Sequence, residues 1–128
     1  MNDILLTAVR STKYPLDAFL FVQRGLDFTV RRIHGARKNT DDSANYHVTG
    51  QDLCYGVRDF AISEYGLLAR AVLKNWNINN CEDFGQIVFA LVEAGIMHKT
   101  DEDSIQDFNG VYDFADAFNP QLQLSENT

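Results

Sequence analysis

The sequence predicts a mainly α protein in a single domain: an N-terminal helical pair packed on a winged-helix-like half with a short two-stranded ribbon. Three observations lead there. Apolar residues recur at three- and four-residue spacing through most of residues 2–94, the pattern of helices that bury one face. Capping and breaking residues, among them Thr49, Gly66, Asn80 and Gly95, divide that pattern into segments of helical length. From Thr49 to Phe114 the segments run helix, short helix, turn, helix, ribbon, which is the order of winged-helix domains. An orthogonal helical bundle without a wing is the alternative architecture.

The first helix is expected over Asn2 to Arg10, where Ile4, Leu5, Ala8 and Val9 share a face and Asp3 sits near the start. Ser11 to Tyr14 break it. Pro15 suits the first turn of the next helix, because its missing N–H has no partner there in any case. Leu16, Phe19, Leu20, Val22, Leu26, Val30 and Ile33 then fall in one broad arc, giving the longest helix, to His34. Arg31, Arg32 and His34 crowd its last turns and Gly35 follows, a favourable helix end. Residues 36–47 read as a polar loop. Thr49 and Asp52 have the spacing of a capping box, and Leu53, Val57, Phe60 and Ala61 carry the stripe that follows, to about Tyr65. Gly66 interrupts, and Leu68, Ala71, Val72 and Trp76 mark a short helix. Asn77 to Asn80 form a turn of residues that tolerate left-handed geometry. Asn80 caps the last long helix with Asp83 three residues on; Phe84, Ile87, Val88 and Leu91 are its core face and Gly95 closes it. Ile96 to Thr100 and Val111 to Phe114 are expected to pair as the ribbon, with Ala115 to Phe118 adding a helical turn. The globular domain is placed at residues 1–118 and a flexible tail at 119–128.

Composition narrows the function classes. The chain has 128 residues, 45% of them hydrophobic, and a formal net charge of -7. A chain of this size buries roughly 65–70% of its unfolded surface, enough for one core. The acidic balance argues against a general nucleic-acid or polybasic membrane binder. Eight basic and eight acidic residues fall in 1–64, whereas 65–128 hold three and ten, so the whole excess lies on the winged-helix-like half. The segment standing where a recognition helix would stand, Cys81 to Ala94, has Glu82, Asp83 and Glu93 and no Lys or Arg, so nucleic acid is not an expected partner. No uncharged stretch exceeds nine residues, as in Phe84 to Val92, against about 20 for a membrane span. Met1-Asn2-Asp3 lacks a basic n-region, so a cytoplasmic location is expected, with Cys54 and Cys81 both free in a reducing compartment.

Several stretches resemble a family of small uncharacterised bacterial proteins, the conserved hypothetical family described from planctomycetes and verrucomicrobia. They are FVQRGLDFTV (21–30), HVTGQDL (47–53), EDFGQIVF (82–89), LVEAGI followed by KTDEDS (91–104) and YDFADAF (112–118). Together they run in order through most of the chain from Tyr14 to Phe118. The sequence has Gly66-Leu67 where the family pattern often has Gly-Pro, and Asn77 where a Gly is common; both departures fall in turns. The resemblance implies a family identity and carries no catalytic residues.

No motif points to chemistry. His34, His47 and His98 never occur at the spacing that presents two imidazoles on one helix face. Asp101, Asp103 and Asp107 lack the remaining ligands of a calcium loop. There is no nucleophile elbow and no Gly-rich phosphate loop. No catalytic residue, cofactor or metal is therefore expected. The positive features lie on the long helix. Arg24 and Arg31 share a face within a basic cluster that also holds Arg32, Arg37 and Lys38, and Asp27 precedes Arg31 by four residues, the favourable order for an ion pair. Phe21 and Phe28 project opposite the Leu26–Val30 stripe with Gly25 between them, so either the helix is central and covered on both sides or these two rings form an interface. Phe21, Phe28, Arg24 and Arg31 are the candidate interface residues. The expected function is a small acidic protein-interaction or adaptor module, binding a protein partner or itself. A DNA-binding winged helix and an enzyme with a site assembled by tertiary contacts are the alternatives.

Overall fold

The computed structural model describes residues 3–34, 48–97 and 105–118. Helices α1 (Asp3–Arg10), α2 (Leu16–His34), α3 (Gly50–Tyr65), α4 (Ala69–Asn75), α5 (Cys81–Glu93) and α6 (Phe114–Ala117) follow one another, with 3-10 turns at Gly66–Leu68 and Ile105–Phe108. The fold is mainly helical, and the described residues contain no strand. Among the described residues no helix is long and apolar enough to cross a membrane.

The helix ends are settled by local hydrogen bonding. After α1, the Ser11 and Thr12 hydroxyls donate to the carbonyls of Ala8 and Val9 at 2.7 and 2.9 Å, satisfying acceptors the helix leaves open. Pro15 stands just outside α2 and its carbonyl accepts from the Ala18 N–H. Thr49 caps α3 as the spacing predicts: its Oγ1 accepts from the Asp52 N–H at 3.0 Å, and Asp52 Oδ2 accepts from the Thr49 N–H at 3.2 Å. Asn80 and Asp83 repeat this arrangement at α5. At the other ends, Asn77 (φ 66) follows α4 and Gly95 (φ 79) follows α5. In both cases paired backbone bonds run from the next residues back to the last turn, Ile78 to Leu73 and Ile96 to Leu91 among them. Asn77 thus adopts the left-handed conformation itself, and its Nδ2 donates to the Lys13 carbonyl at 2.8 Å.

The core is the crossing of α2, α3 and α5. Helix α2 packs chiefly on α3, and the face it buries is centred on Ala18, Val22, Gly25 and Thr29, with Phe19 and Phe21 at its two edges. This corrects the arc expected from the sequence: Leu20 and Ile33 are 38% and 45% exposed, and Leu26 and Val30 are only half-buried. The reason is steric. Small residues bring α2 and α3 together, so that a Cβ on Gly25 would lie 2.9 Å from Val57 Cγ2 and one on Gly56 would overlap the Thr29 side chain. Thr29 is fully buried and its hydroxyl donates to the Gly25 carbonyl at 2.7 Å, so it brings no unpaired group into the core.

The expected wing is absent from the described residues. Ile96 and Met97 belong to the turn that closes α5, and His98 to Thr100 lie outside the described residues, as do the loop 36–47, the acidic run 101–103 and the tail 119–128. Val111 to Phe114 form no ladder. Asp113 caps α6, its Oδ1 accepting from the Ala115 N–H at 3.0 Å, and Phe114 begins that helix. The alternation that suggests a strand comes instead from side chains anchored separately. Tyr112 donates through its hydroxyl to the Cys54 carbonyl at 2.7 Å, while the Phe114 ring packs tilted against Phe84 and edge-on to Phe118. Ahead of them Phe108 presses into the space above Gly50 and Gly85, where added Cβ atoms would come within 3.1 Å and 2.8 Å of its ring.

Candidate functional site

A groove of about 710 Å³ on the exposed side of α2 is lined by Asp17, Leu20, Gln23, Arg24, Asp27, Tyr65 and Trp76. Helix α2 supplies one wall. The end of α3 and the residue after α4 supply the aromatic wall, because the Gly66 turn (φ 57) folds the chain back and sets Tyr65 beside Trp76, ring centroids 6.2 Å apart. Phe21, fully buried, packs against this aromatic wall from the core side, with ring centroids 5.4 Å from Phe60, 6.1 Å from Tyr65 and 5.4 Å from Trp76.

The four candidate residues divide. Phe21 is part of the chain's own core, and Phe28 is half-buried, 5.4 Å from Phe60 with the Arg32 guanidinium over its ring. Arg31 is taken by Asp27, Nε to Oδ2 3.2 Å, at the spacing read from the sequence. Arg32 is taken by Asp59, which also binds Arg58 at 2.8 Å. Arg24 is exposed and makes no ion pair among the described residues. Among the described residues of this cluster, Arg24 is thus the guanidinium without an ion pair, and it lines the groove. Arg37 and Lys38 lie outside the described residues.

Sequence reasoning missed Tyr65 and Trp76 as site residues. Trp76 reads as one more member of the α4 stripe, and only the fold-back at Gly66 turns it towards α2. It also missed Leu67 and Leu68, adjacent leucines on the 3-10 turn, 52% and 66% exposed at the same corner of the chain. A second groove, lined by Leu67, Arg70, Ala71, Lys74, Asn79, Ala115 and Phe118, opens between α4 and α6.

The buried polar groups are structural in their bonding. Asp83, only 3% exposed, accepts from the Asn79 N–H at 2.7 Å and from the Tyr14 hydroxyl, and Lys13 Nζ lies 3.6 Å away. Burial and the Asp83 carboxylate push the Tyr14 hydroxyl pKa up, which keeps it a donor at every physiological pH. Tyr112 is pushed up in the same way, first by burial. No group of three or more His, Cys, Asp or Glu among the described residues is arranged to hold a metal ion. Compared with protein-family models, curated proteins and solved structures, the chain matches none.

Proposed function

We propose that the chain is a small acidic protein-interaction module that takes a segment of a partner protein into the groove between α2 and the α3–α4 corner. The observation that carries this is the unpaired Arg24 beside an aromatic wall. Arg31 and Arg32 are neutralised internally, whereas Arg24 stands free next to Trp76, Tyr65 and the exposed Leu20. Aromatic and Arg side chains grouped at a concavity are the composition of binding hot spots. The fitting ligand is an apolar side chain followed by a carboxylate: the apolar group displaces water from Trp76 and the carboxylate meets Arg24. Leu67 and Leu68 extend the apolar surface of the same corner. In this reading the protein acts by binding alone, without cofactor or catalysis.

The test is affinity capture from native lysate on immobilised wild type, Arg24→Glu, Leu20→Glu and, as a control away from the groove, Glu93→Gln. Partners held by wild type and the control, and lost from both groove variants with unchanged circular dichroism, support the groove. An identical set of retained proteins on all four surfaces overturns it.

A further inference from the structure

The half of the chain that carries the acidic excess gathers its described basic residues at one place. Residues 65–128 hold three basic side chains, Arg70, Lys74 and Lys99, of which Lys99 lies outside the described residues. Arg70 and Lys74 stand four apart on α4 and therefore share a face of that helix. Both are exposed, and both line the groove between α4 and α6, a space of about 730 Å³. Neither makes an ion pair among the described residues. Local structure does not account for their placement. Like charges four apart on a helix repel one another, and Arg70 stands in the first turn of α4, where the helix dipole disfavours a cation. The opposite wall gives no relief: Asp113 caps α6, and neither it nor Asp116 pairs with Arg70 or Lys74.

We infer that this groove is a docking site for a short acidic segment of a partner protein, with carboxylates that meet Arg70 and Lys74 and an apolar side chain beside them. The charge pattern selects the occupant: two cations, unrelieved within the described structure, are complementary to carboxylates. Arg70 can take a carboxylate through paired N–H donors, and Lys74 acts as a point charge. The apolar anchor has its own surface, since Leu67 is 52% exposed and the exposed Ala71 and Ala115 leave room on the two walls. The Asn79 side chain, exposed at the same groove, offers an amide to the backbone of the segment. A net charge of -7 repels a long polyanion, so the pair favours a short acidic segment that also buries an apolar group. This site is separate from the groove at Arg24 and uses different cations on a different helix.

The test begins with a phage-displayed peptide library panned on the immobilised full chain. Enrichment of peptides with two or more Asp or Glu residues around a Leu, Ile, Met or Phe is expected. One enriched peptide is then labelled with fluorescein and titrated by anisotropy. Arg70→Gln and Lys74→Gln are each expected to weaken it by about tenfold, the loss of a charge-assisted hydrogen bond. Leu67→Ser is expected to weaken it as well, Arg24→Gln to leave it unchanged, and added salt to reduce binding to wild type. All four positions are exposed, and unchanged circular dichroism checks that the variants fold. A library without acidic enrichment, or an enriched peptide held equally well by the Arg70→Gln/Lys74→Gln double variant, would overturn the inference. Loss of the peptide in Arg24→Gln alone would overturn it too, assigning the peptide to the groove on α2. A salt-sensitive dimer in light scattering that only the double variant lacks would make a second copy of this chain the occupant and overturn the partner segment.

Discussion

Gly56→Ala tests the close contact on which the whole helix arrangement rests. By helix propensity alone the substitution stabilises α3, since Ala is better than Gly in a helix interior by about 1 kcal/mol. The structure predicts the reverse. The new Cβ would overlap Thr29 Oγ1 and stand 2.7 Å from Thr29 Cβ and 2.8 Å from Cγ2, so rotating the Thr29 side chain offers no escape. Relief requires α2 and α3 to separate, which loosens Val22, Val57 and Phe21 together. Overpacking of this kind costs about 1–3 kcal/mol, and three colliding atoms put this site at the upper end. Subtracting the propensity gain leaves a net loss of about 2 kcal/mol, or a fall in Tm of roughly 8 °C for a chain of this length. Urea denaturation followed by far-UV circular dichroism reads the change, with a lower midpoint and an unchanged slope. Thr29→Ala removes Oγ1 and Cγ2, so in the Gly56→Ala background it should recover part of the loss, a coupling of more than about 1 kcal/mol. A Gly56→Ala protein as stable as wild type, or a double variant with purely additive losses, would refute the small-residue crossing of α2 and α3.

The remaining predictions concern single side chains. Thr49→Ala removes an N-cap hydroxyl bonded at 3.0 Å and should lower stability by about 0.5–2 kcal/mol with no change in the denaturation slope; no loss would mean α3 is not held by this cap. Phe21→Glu places a carboxylate among Phe60, Tyr65 and Trp76 and is expected to unfold the protein, read as loss of the circular dichroism signal, whereas a folded variant would contradict the burial of that ring. The helix Cys81–Glu93 carries the half-buried Glu82 and the exposed Glu93 and no basic residue, so fluorescence anisotropy with random-sequence duplex at physiological salt should detect no binding. Salt-sensitive sub-micromolar binding would overturn that expectation.

The sequence by itself determined whatever depends on neighbours three or four residues away. The caps at Thr49 and Asn80, the Asp27–Arg31 pair, the Asn77 turn and the stop at Gly95 are local hydrogen-bonding and backbone preferences, and each lies where the spacing puts it. The choice of buried face on α2 is a different kind of question. Apolar residues occur on two sides of that helix, so periodicity alone favours the wider arc, and the decision falls to how closely another helix can approach. Gly25, Thr29 and Gly56 permit that approach on the side of Phe21, and Leu20 and Ile33 are left outside. The ribbon failed for a related reason: a period-two run of four residues carries no information about whether a partner strand exists, and Tyr112 and Phe114 find their partners on α3 and α5 instead. The place of Arg24 beside the Tyr65–Trp76 wall was decided by tertiary structure alone, because it joins residues whose separation along the chain exceeds any helical or turn repeat.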